Sequence, residues 1–214
     1  MKLYDYWRSS AAYRVRIALN LKGLDYRSVP VNIAPGADEQ FGAAYAALNP
    51  QMRVPALELG PGDVVGQSMA IIEYLEEVHP EPALLPGRAQ DRLRIRAFAD
   101  TIACDIHPLN NLSVLSALRE DFAADREAVT RWYHGWIEKG FAALEQVAEQ
   151  LDPAPFLFGE APTLAEVCLV PQVANARRFS VDLTAYPRLV AADAAARALP
   201  AFEAAAPERQ PGAS

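Results

Sequence analysis

The sequence predicts two domains, an α/β domain with a mixed four-stranded sheet followed by an all-α domain. Up to residue 79 the hydrophobic pattern alternates between the period of strands and the period of helices. Residues 80–87 carry three prolines and a glycine, a composition typical of a linker. Beyond the linker no convincing strand pattern is found. We therefore assign residues 1–79 to the α/β domain and residues 88–214 to the helical domain.

The composition indicates a soluble globular protein. The chain has 214 residues, of which 51% are hydrophobic and 22% are charged. It has no apolar run of about 18 residues, so no transmembrane helix is expected. The N-terminus leads directly into a strand that contains Asp5, which does not resemble a signal peptide, and we expect a cytoplasmic protein. The net charge is −7 without a basic cluster, so nucleic acid is not an expected partner.

The cysteines and histidines do not predict a metal site. Cys104 and Cys168 lie far apart in apolar segments, which predicts buried, reduced thiols. The histidines, His79, His107 and His134, show no metal-ligand spacing with each other or with the cysteines. We expect no structural metal.

The first half of the α/β domain predicts a strand, a helix, a second strand and a second helix. The first strand covers Leu3–Tyr6, and the first helix covers Ser10–Lys22 with a one-sided apolar face. The second strand covers Tyr26–Ile33 and contains Pro30, which has no N–H for a ladder, so this is an edge strand. The second helix covers Ala37–Leu48.

The second half of this domain predicts a hairpin followed by a third helix. A strand over Arg53–Leu59 turns at a Gly-Pro-Gly-Asp sequence into the short strand Val64–Val65. The third helix runs over Ser68–Val78, and Ser68 is a residue type that commonly caps helices. The resulting order β-α-β-α-β-β-α resembles that of thioredoxin-like domains.

The second domain predicts long helices. Residues 88–118 are helical with an interruption at Pro108, which removes a helix hydrogen bond. Residues 126–151 form another helix. Thr163 followed three residues later by Glu166 forms a capping box, which predicts the start of a helix over residues 164–179.

The junction of the first strand and the first helix is a candidate site, because it carries Ser9 and Ser10. A helix N-terminus presents backbone N–H groups and a partial positive charge. Together with the hydroxyls, these groups would stabilise an anion, or a thiol that must ionise. A serine before a helix can equally be an ordinary cap, and one serine is explained in that way.

Five blocks of the chain resemble the zeta class of the cytosolic glutathione transferases. The resemblance extends over nearly the whole length, and the first block reads R-S-S-A-A-Y-R-V-R-I-A-L. The blocks are residues 8–19, residues 47–50 with 54–57, residues 67–75, residues 105–115 and residues 169–176. The resemblance implies the cytosolic glutathione transferase architecture, glutathione as cofactor, and a homodimer.

The resemblance also implies roles for individual residues. Ser9, Ser10 and Arg8 are the expected catalytic residues, with Ser9 the better candidate for contacting the sulfur, while Ser10 caps the helix or polarises its partner. Arg8 and Arg178 are expected to bind a dicarboxylate substrate, since arginine binds carboxylates in bidentate fashion. The implied glutathione contacts are Gln40, Val54, Pro55, Gln67, Ser68, His107, Asn111 and Ser113. The Val54–Pro55 peptide is expected to be cis.

Four residues qualify these assignments. Ala11 stands where the class usually has cysteine, so the chemistry would depend on the thiol of glutathione itself. For Arg177, next to Arg178, we favour the interpretation as a surface charge that complements the helix dipole at a C-terminus. His107 and Asn111, four residues apart on a helix, would share a face, and a polar face around a kink explains them almost as well.

The implied reaction is the cis–trans isomerisation of a maleyl-type keto diacid by reversible addition of a thiolate. Maleylacetoacetate, converted to fumarylacetoacetate, is the favoured substrate, because Leu112 and Ser113 stand where some maleylpyruvate isomerases carry arginine. The alternatives are maleylpyruvate isomerisation and a general transferase that acts on small electrophiles such as α-haloacids. A non-catalytic scaffold is a further alternative, against which the retained Ser9, Ser10, Gln67 and Ser68 argue.

Overall fold

The computed structural model of the chain describes residues 1–213, which form two units. The first unit comprises Met1–Leu84 and the described residues from Ala198 onward, and the second comprises Leu85–Arg197. None of the described helices is long and apolar enough to cross a membrane.

The first unit is built on a mixed four-stranded sheet, as the sequence predicts. Its strands are β1 (Lys2–Asp5), β2 (Arg27–Pro30), β3 (Ala56–Gly60) and β4 (Asp63–Gly66), in the spatial order β2-β1-β3-β4. Strand β1 pairs in parallel with β2 and antiparallel with β3, and β3 forms an antiparallel hairpin with β4. The predicted edge position of β2 is confirmed, and the strand ends at Pro30.

Four α-helices complete this unit. They are α1 (Ser10–Leu21), α2 (Ala43–Leu48), α3 (Ser68–Val78) and a helix close to the C-terminus, Pro200–Ala205. The helix predicted over residues 37–48 is wrong in its first half, where Glu39–Phe41 forms a 3₁₀ turn. Gly42 follows this turn in an extended conformation and separates it from α2, so the two segments cannot join into one helix.

The second unit contains α4 (Ala89–Asp100), α5 (Leu112–Glu120), α6 (Arg126–Glu149), α7 (Leu164–Arg178) and α8 (Pro187–Arg197). In chain order, the C-terminal helix Pro200–Ala205 is therefore α9. The predicted capping box is present, because Thr163 Oγ1 accepts a hydrogen bond from Ala165 N–H while the Glu166 carboxylate accepts one from Thr163 N–H. Residues 85–197, all described, contain a single isolated bridge, Phe156 with Gly159, and no strand.

The helical stretch predicted over residues 88–118 is divided into three kinds of helix. A π-helical segment, Thr101–Ile106, follows α4, and a 3₁₀ turn, Pro108–Asn110, precedes α5. Pro108 lacks the N–H that would continue the helix, which explains the break at this point. Cys104 is exposed on the π-helical segment, contrary to the expectation that both thiols are buried, because Ile102 and Ile106 occupy its buried positions.

The assignment of the last residues to the helical domain is corrected by their contacts. Helix α9 packs on α1 of the first unit. Asn20 Nδ2 on α1 donates to the carbonyl of Ala201 at 3.0 Å, and Arg16 Nε donates to the carbonyl of Ala205 at 2.9 Å. The segment is helical, as its pattern indicates, but it forms its contacts with the α/β part of the chain.

Candidate active site

The turn Tyr6–Ser9 joins β1 to α1 and carries Arg8 and Ser9. Ser9 N–H donates to the carbonyl of Tyr6 at 2.9 Å and closes the turn. Ser9 is also the N-cap of α1, because its Oγ accepts a hydrogen bond from Ala12 N–H at 3.2 Å. The oxygen is the acceptor in this bond, so the hydroxyl hydrogen remains to be donated to an atom beside the helix start.

Ser10 is the first residue of α1 and is buried. The interpretation in which Ser10 caps the helix is wrong, because Ser9 is the cap. The first turn of α1, which is fully described, contains no acidic residue that would neutralise the partial positive charge of the helix start. The half-buried Ala11 adds no ionisable group. An anion beside Ser9 would therefore experience a positive potential.

Arg8 is half-buried, and its guanidinium lies against two aromatic rings. The guanidinium carbon is 5.3 Å from the Trp7 ring centroid and 5.9 Å from the Tyr6 ring centroid. Contacts of this kind orient the guanidinium without neutralising its charge. Among residues 1–213, Arg8 takes part in no ion pair. Its charge is therefore available to a bound carboxylate.

The start of α3 has an unusual backbone at Gln67. This residue is the N-cap, with φ 69° and ψ 104°, and its side chain forms no capping bond. Its Nε2 instead donates to Gln51 Oε1 at 3.0 Å. A left-handed φ in a residue other than glycine costs about 1–3 kcal/mol and is concentrated at ligand-binding positions. Ser68 is the first residue of the helix and is buried, so it is not the cap that its residue type suggested.

The Val54–Pro55 peptide is cis, as the family resemblance implied. Val54 is buried, and the carbonyl of the preceding Arg53 accepts two hydrogen bonds. Tyr45 Oη donates to it at 2.6 Å and Asn49 Nδ2 donates to it at 2.8 Å. These side chains hold the backbone in place immediately before Val54.

Gln40 provides a test of whether this unit fits a bound peptide-like group. The residue is buried, and its Nε2 lies 3.5 Å from Asp38 Oδ1. Its Oε1 is buried and has no donor among the described residues. Buried acceptors of this kind are rarely left unsatisfied. An amide N–H would satisfy Gln40 Oε1, so the residues present fit a small anionic peptide such as glutathione.

Contacts within the first unit connect three of these positions. Tyr6, Tyr45 and Val54 belong to one buried cluster, with Trp7 packed against it, so the turn before α1 and the backbone at Val54 share a core. The start of α3 is tied to α1 by Arg14 Nη1, which lies 3.4 Å from the Ser68 hydroxyl oxygen.

In the second unit, His107, Asn111 and Ser113 lie around the start of α5. Asn111 is the N-cap of this helix, and its Oδ1 accepts hydrogen bonds from Ser113 N–H at 3.2 Å and from Ser113 Oγ at 3.4 Å. His107 lies between the π-helical segment and the 3₁₀ turn. The expectation that His107 and Asn111 share one α-helical face is wrong, because Asn111 is extended and no α-helix includes both residues.

Arg177 and Arg178 end α7 in different surroundings. Arg177 Nη1 forms an ion pair of 2.6 Å with Asp193, whose side chain is fully buried. Arg178 is exposed, with its guanidinium carbon 5.0 Å from the Phe179 ring centroid. The Tyr133 ring stacks on the same Phe179 ring, with the two centroids 3.8 Å apart. Burial raises the pKa of Tyr133. The ion pair with Asp193 occupies Arg177, and the expected contact of Arg178 with a substrate carboxylate stays a prediction.

Two family models match the chain. Residues 8–78 match the glutathione S-transferase N-terminal domain, and residues 130–192 match the glutathione S-transferase C-terminal domain. Together the two segments cover more than half of the chain. The chain belongs to the glutathione S-transferase family.

Individual relatives place this glutathione S-transferase in the zeta class. A maleylacetoacetate isomerase from Pseudomonas aeruginosa is 50% identical over 211 residues, covering 99% of this chain and 98% of the relative. The holo structure of a maleylpyruvate isomerase, described as a bacterial zeta-class glutathione S-transferase, is 50% identical with a TM-score of 0.96, covering 100% of both chains. A maleylacetoacetate isomerase from Methylobacterium extorquens AM1, solved with malonate and glutathione, is 38% identical with a TM-score of 0.95 and the same coverage.

Sequence reasoning missed two buried arginines of this transferase, Arg14 and Arg16. Both lie in α1, at 1% and 0% exposure respectively, and both reach the candidate site region through hydrogen bonds. The available signal was that Arg14 and Arg16 alternate with apolar residues in the stretch Tyr13–Leu19, so a helix that buries several of its faces also buries these arginines. A buried guanidinium then needs acceptors, and the neighbouring turns supply them.

Among residues 1–213, no group of three His, Cys, Asp or Glu side chains is arranged to hold a metal ion. The expectation that this transferase needs no metal stays a prediction.

Proposed function

We propose that this protein is a glutathione-dependent cis–trans isomerase that converts maleylacetoacetate to fumarylacetoacetate. The observation that carries the proposal is the start of α1. There, Ser9 keeps a hydroxyl hydrogen beside a positive helix end, and the neighbouring Arg8 forms no ion pair among residues 1–213. These groups suit a thiolate and a carboxylate of the unsaturated diacid to whose double bond that thiolate adds. Relatives near 50% identity that carry isomerase names support this choice of reaction.

Glutathione is the proposed cofactor, and the first unit offers groups for each of its parts. The start of α3, with Gln67 and Ser68, suits the γ-glutamyl carboxylate, because helix N-termini bind anions. The backbone at Val54 and the buried Gln40 Oε1 suit the peptide groups. Bound glutathione would supply the nucleophilic sulfur whose reversible addition allows the carbon–carbon double bond to rotate. For His107, Asn111 and Ser113, a contact with glutathione rests on the family resemblance alone.

The role of Ser9 is to hold the sulfur as a thiolate. A thiol in water has a pKa of about 8.5, so it is mostly protonated at neutral pH. A hydrogen bond donated by the Ser9 hydroxyl to the sulfur favours the thiolate, and so does the positive end of α1. Both interactions lower the pKa of the bound thiol. Ser10 lies at the same helix start and contributes to the same potential. The chain itself carries no cysteine in this turn, since Ala11 occupies the usual position.

The proposed role of Arg8 is to bind a carboxylate of the diacid and to orient it, and the family resemblance implies a carboxylate contact for Arg178 as well. Arginine forms two parallel hydrogen bonds with a carboxylate, which fixes direction as well as position. Arg8 is already oriented by the Trp7 ring at 5.3 Å, so less side-chain freedom is lost when the diacid binds. A cation near a carboxylate also stabilises negative charge that develops on the conjugated ketone and acid during addition.

Maleylpyruvate isomerase is the second candidate function. It is supported by the relative of that name at 50% identity, which equals the identity of a maleylacetoacetate isomerase. Maleylacetoacetate remains the first choice, because Leu112 and Ser113 are both exposed at the start of α5 and neither carries a charge for a further carboxylate contact. A transferase that consumes glutathione on α-haloacids would use the same residues.

The experiment that tests the proposal compares three substrates with the purified full-length protein. Maleylacetoacetate, maleylpyruvate and an α-haloacid are assayed at saturating glutathione, and kcat/KM is measured for each. We expect the highest kcat/KM with maleylacetoacetate and no turnover of either diacid without glutathione. A higher value for maleylpyruvate would select the second candidate. Turnover of the haloacid alone would contradict the isomerase assignment.

The proposal includes a homodimer in the cytoplasm. Val65 on β4 and Tyr74 and Val78 on α3 are large exposed apolar side chains of the first unit, and a second copy of the chain would cover them. Sedimentation equilibrium is expected to give twice the chain mass of 23.4 kDa. A monomer at micromolar concentration would contradict this part of the proposal.

A further inference from the structure

The guanidinium of Arg16 lies buried beneath the turn that carries Arg8 and Ser9. Its side chain is fully buried, and each of its three nitrogens donates to a different part of the chain. Nη1 donates to both carboxylate oxygens of Asp5, at 2.8 Å each, at the end of β1. Nη2 donates to the carbonyl of Trp7 at 3.1 Å, and Nε donates to the carbonyl of Ala205 at 2.9 Å, at the end of α9.

The bond to Trp7 fixes a peptide group inside the turn. Trp7 is the second residue of the turn that Ser9 N–H closes on the carbonyl of Tyr6. Because a peptide group is planar, holding the Trp7 carbonyl also sets the direction of the Arg8 N–H and of the chain that follows. The positions of Arg8 and of the Ser9 hydroxyl therefore depend on Arg16, although its hydrogen bond goes to Trp7 and to neither of these two residues.

The C-terminal segment contacts the same region at further points. Asn20 Nδ2 holds the carbonyl of Ala201 at the start of α9. Beyond α9, Gln210 Nε2 donates to the carbonyl of Ala204 at 2.7 Å and so folds the chain back on the helix end. Gly212 lies beside Trp7, since a Cβ built on Gly212 would be 3.9 Å from Trp7 Cδ1. Helix α9 and the residues after it thus lie next to the turn.

We propose that Arg16 is a positioning residue for the thiolate-binding turn and that α9 is part of its support. This inference rests on the proposed function, in which the turn holds the sulfur of glutathione. Arginine suits the task because its planar guanidinium directs several donors at once, whereas the ammonium of lysine is a single point of charge. Asp5 balances the buried charge, and burial raises the pKa of its carboxyl although Arg16 acts in the opposite direction.

A purely structural role for Arg16 makes a different prediction. In that case its replacement lowers thermal stability but leaves the pKa of bound glutathione unchanged. Lys22 provides a matched control, because it forms an equally buried ion pair of 2.8 Å with Glu76 in the same unit and does not touch the turn. Asn20→Ala is not a control, because it removes a bond between α1 and α9 and so weakens the proposed support itself.

The decisive experiment measures the thiolate absorbance of glutathione bound to the full-length protein as a function of pH. For Arg16→Lys we expect the thiol pKa to rise by about one unit and kcat to fall about tenfold, since a misplaced contact near the chemistry is costly in rate. We expect KM for glutathione to stay within about threefold, because the α3 start is unchanged. Lys22→Met should leave the thiol pKa at the wild-type value.

A second variant tests the contribution of α9 even when Arg16→Lys does not fold. Phe202 is fully buried in α9, and Phe202→Leu loosens this helix while Arg16 and the turn keep their sequence. A smaller rise of the thiol pKa in the same direction supports the inference. A thiol pKa equal to that of wild type in both Arg16→Lys and Phe202→Leu overturns the inference. If Arg16→Lys does not fold, a thiol pKa equal to that of wild type in Phe202→Leu is sufficient to overturn it. If wild-type protein itself does not lower the thiol pKa, the proposed function fails, and the inference fails with it.

Discussion

Replacing Ser9 by alanine removes two interactions that can be measured separately. The first is the cap on α1, in which Ser9 Oγ accepts from Ala12 N–H at 3.2 Å. Loss of such a cap lowers the free energy of unfolding by about 1 kcal/mol. The second is the hydrogen bond that the Ser9 hydroxyl would donate to the sulfur of glutathione. A hydrogen bond to a charged group contributes about 1.5–3 kcal/mol. At about 1.36 kcal/mol per unit, the second loss raises the pKa of bound glutathione by about 1–2 units.

Two assays separate these effects. Urea unfolding reports the cap, and the pH titration of thiolate absorbance reports the sulfur contact. Ser9→Thr keeps both interactions and should resemble wild type in both assays. Ser9→Asp keeps the cap acceptor but has no hydroxyl, so it should retain stability while the thiol pKa rises. An unchanged thiol pKa in Ser9→Ala would refute the assignment and transfer the role to Ser10 or to backbone N–H groups.

Three further predictions concern the substrate cation, the helical unit and pH. Arg8→Lys should raise KM for the diacid about tenfold with little change in KM for glutathione, since an ammonium cannot bind a carboxylate in bidentate fashion, and steady-state kinetics with each substrate varied tests this. Gly140→Ala should lower the free energy of unfolding by about 1–3 kcal/mol, because its Cβ would overlap a buried isoleucine of the π-helical segment. In the same helix, Gly135→Ala has open space and should stabilise by about 1 kcal/mol, and urea unfolding of both variants is the check. The Arg88 guanidinium and N–H lower the pKa of the Asp91 carboxyl, so the stability that this carboxylate adds is present above its ordinary pKa of 3.8 and is lost as pH falls through the lowered value. The thermal midpoints of wild type and Asp91→Ala should therefore differ more at neutral pH than in acid, and an equal difference at both would contradict the assignment.

Local sequence signals were sufficient wherever a segment is defined by its own residues. The helix Ser68–Val78 has the bounds that its pattern predicts, and Thr163 with Glu166 marks the start of α7 through a bond between neighbouring residues. The edge position of β2 followed from the missing N–H of Pro30. In each case the physical cause lies within a few residues of the feature.

Features that depend on distant residues were not predicted. Arg16 and Ala205 are 189 residues apart in the chain, and nothing in the local pattern of either indicates their contact. The first half of the predicted helix over residues 37–48 is not α-helical, because Gly42 is extended, and the local composition does not specify that conformation. At the site, the motif identified Ser9 and Ser10 together, but only the bond to Ala12 N–H distinguishes the cap from its neighbour.

In the proposed function, glutathione serves this protein as a regenerated cofactor held at the start of α1. The most direct test incubates the wild-type protein with a large excess of maleylacetoacetate over glutathione, and measures both the fumarylacetoacetate formed and the free thiol at the end. We expect many moles of trans product per mole of glutathione, with the initial amount of free thiol recovered. One mole of product per mole of glutathione, with loss of the free thiol, would contradict the role of glutathione as a regenerated cofactor.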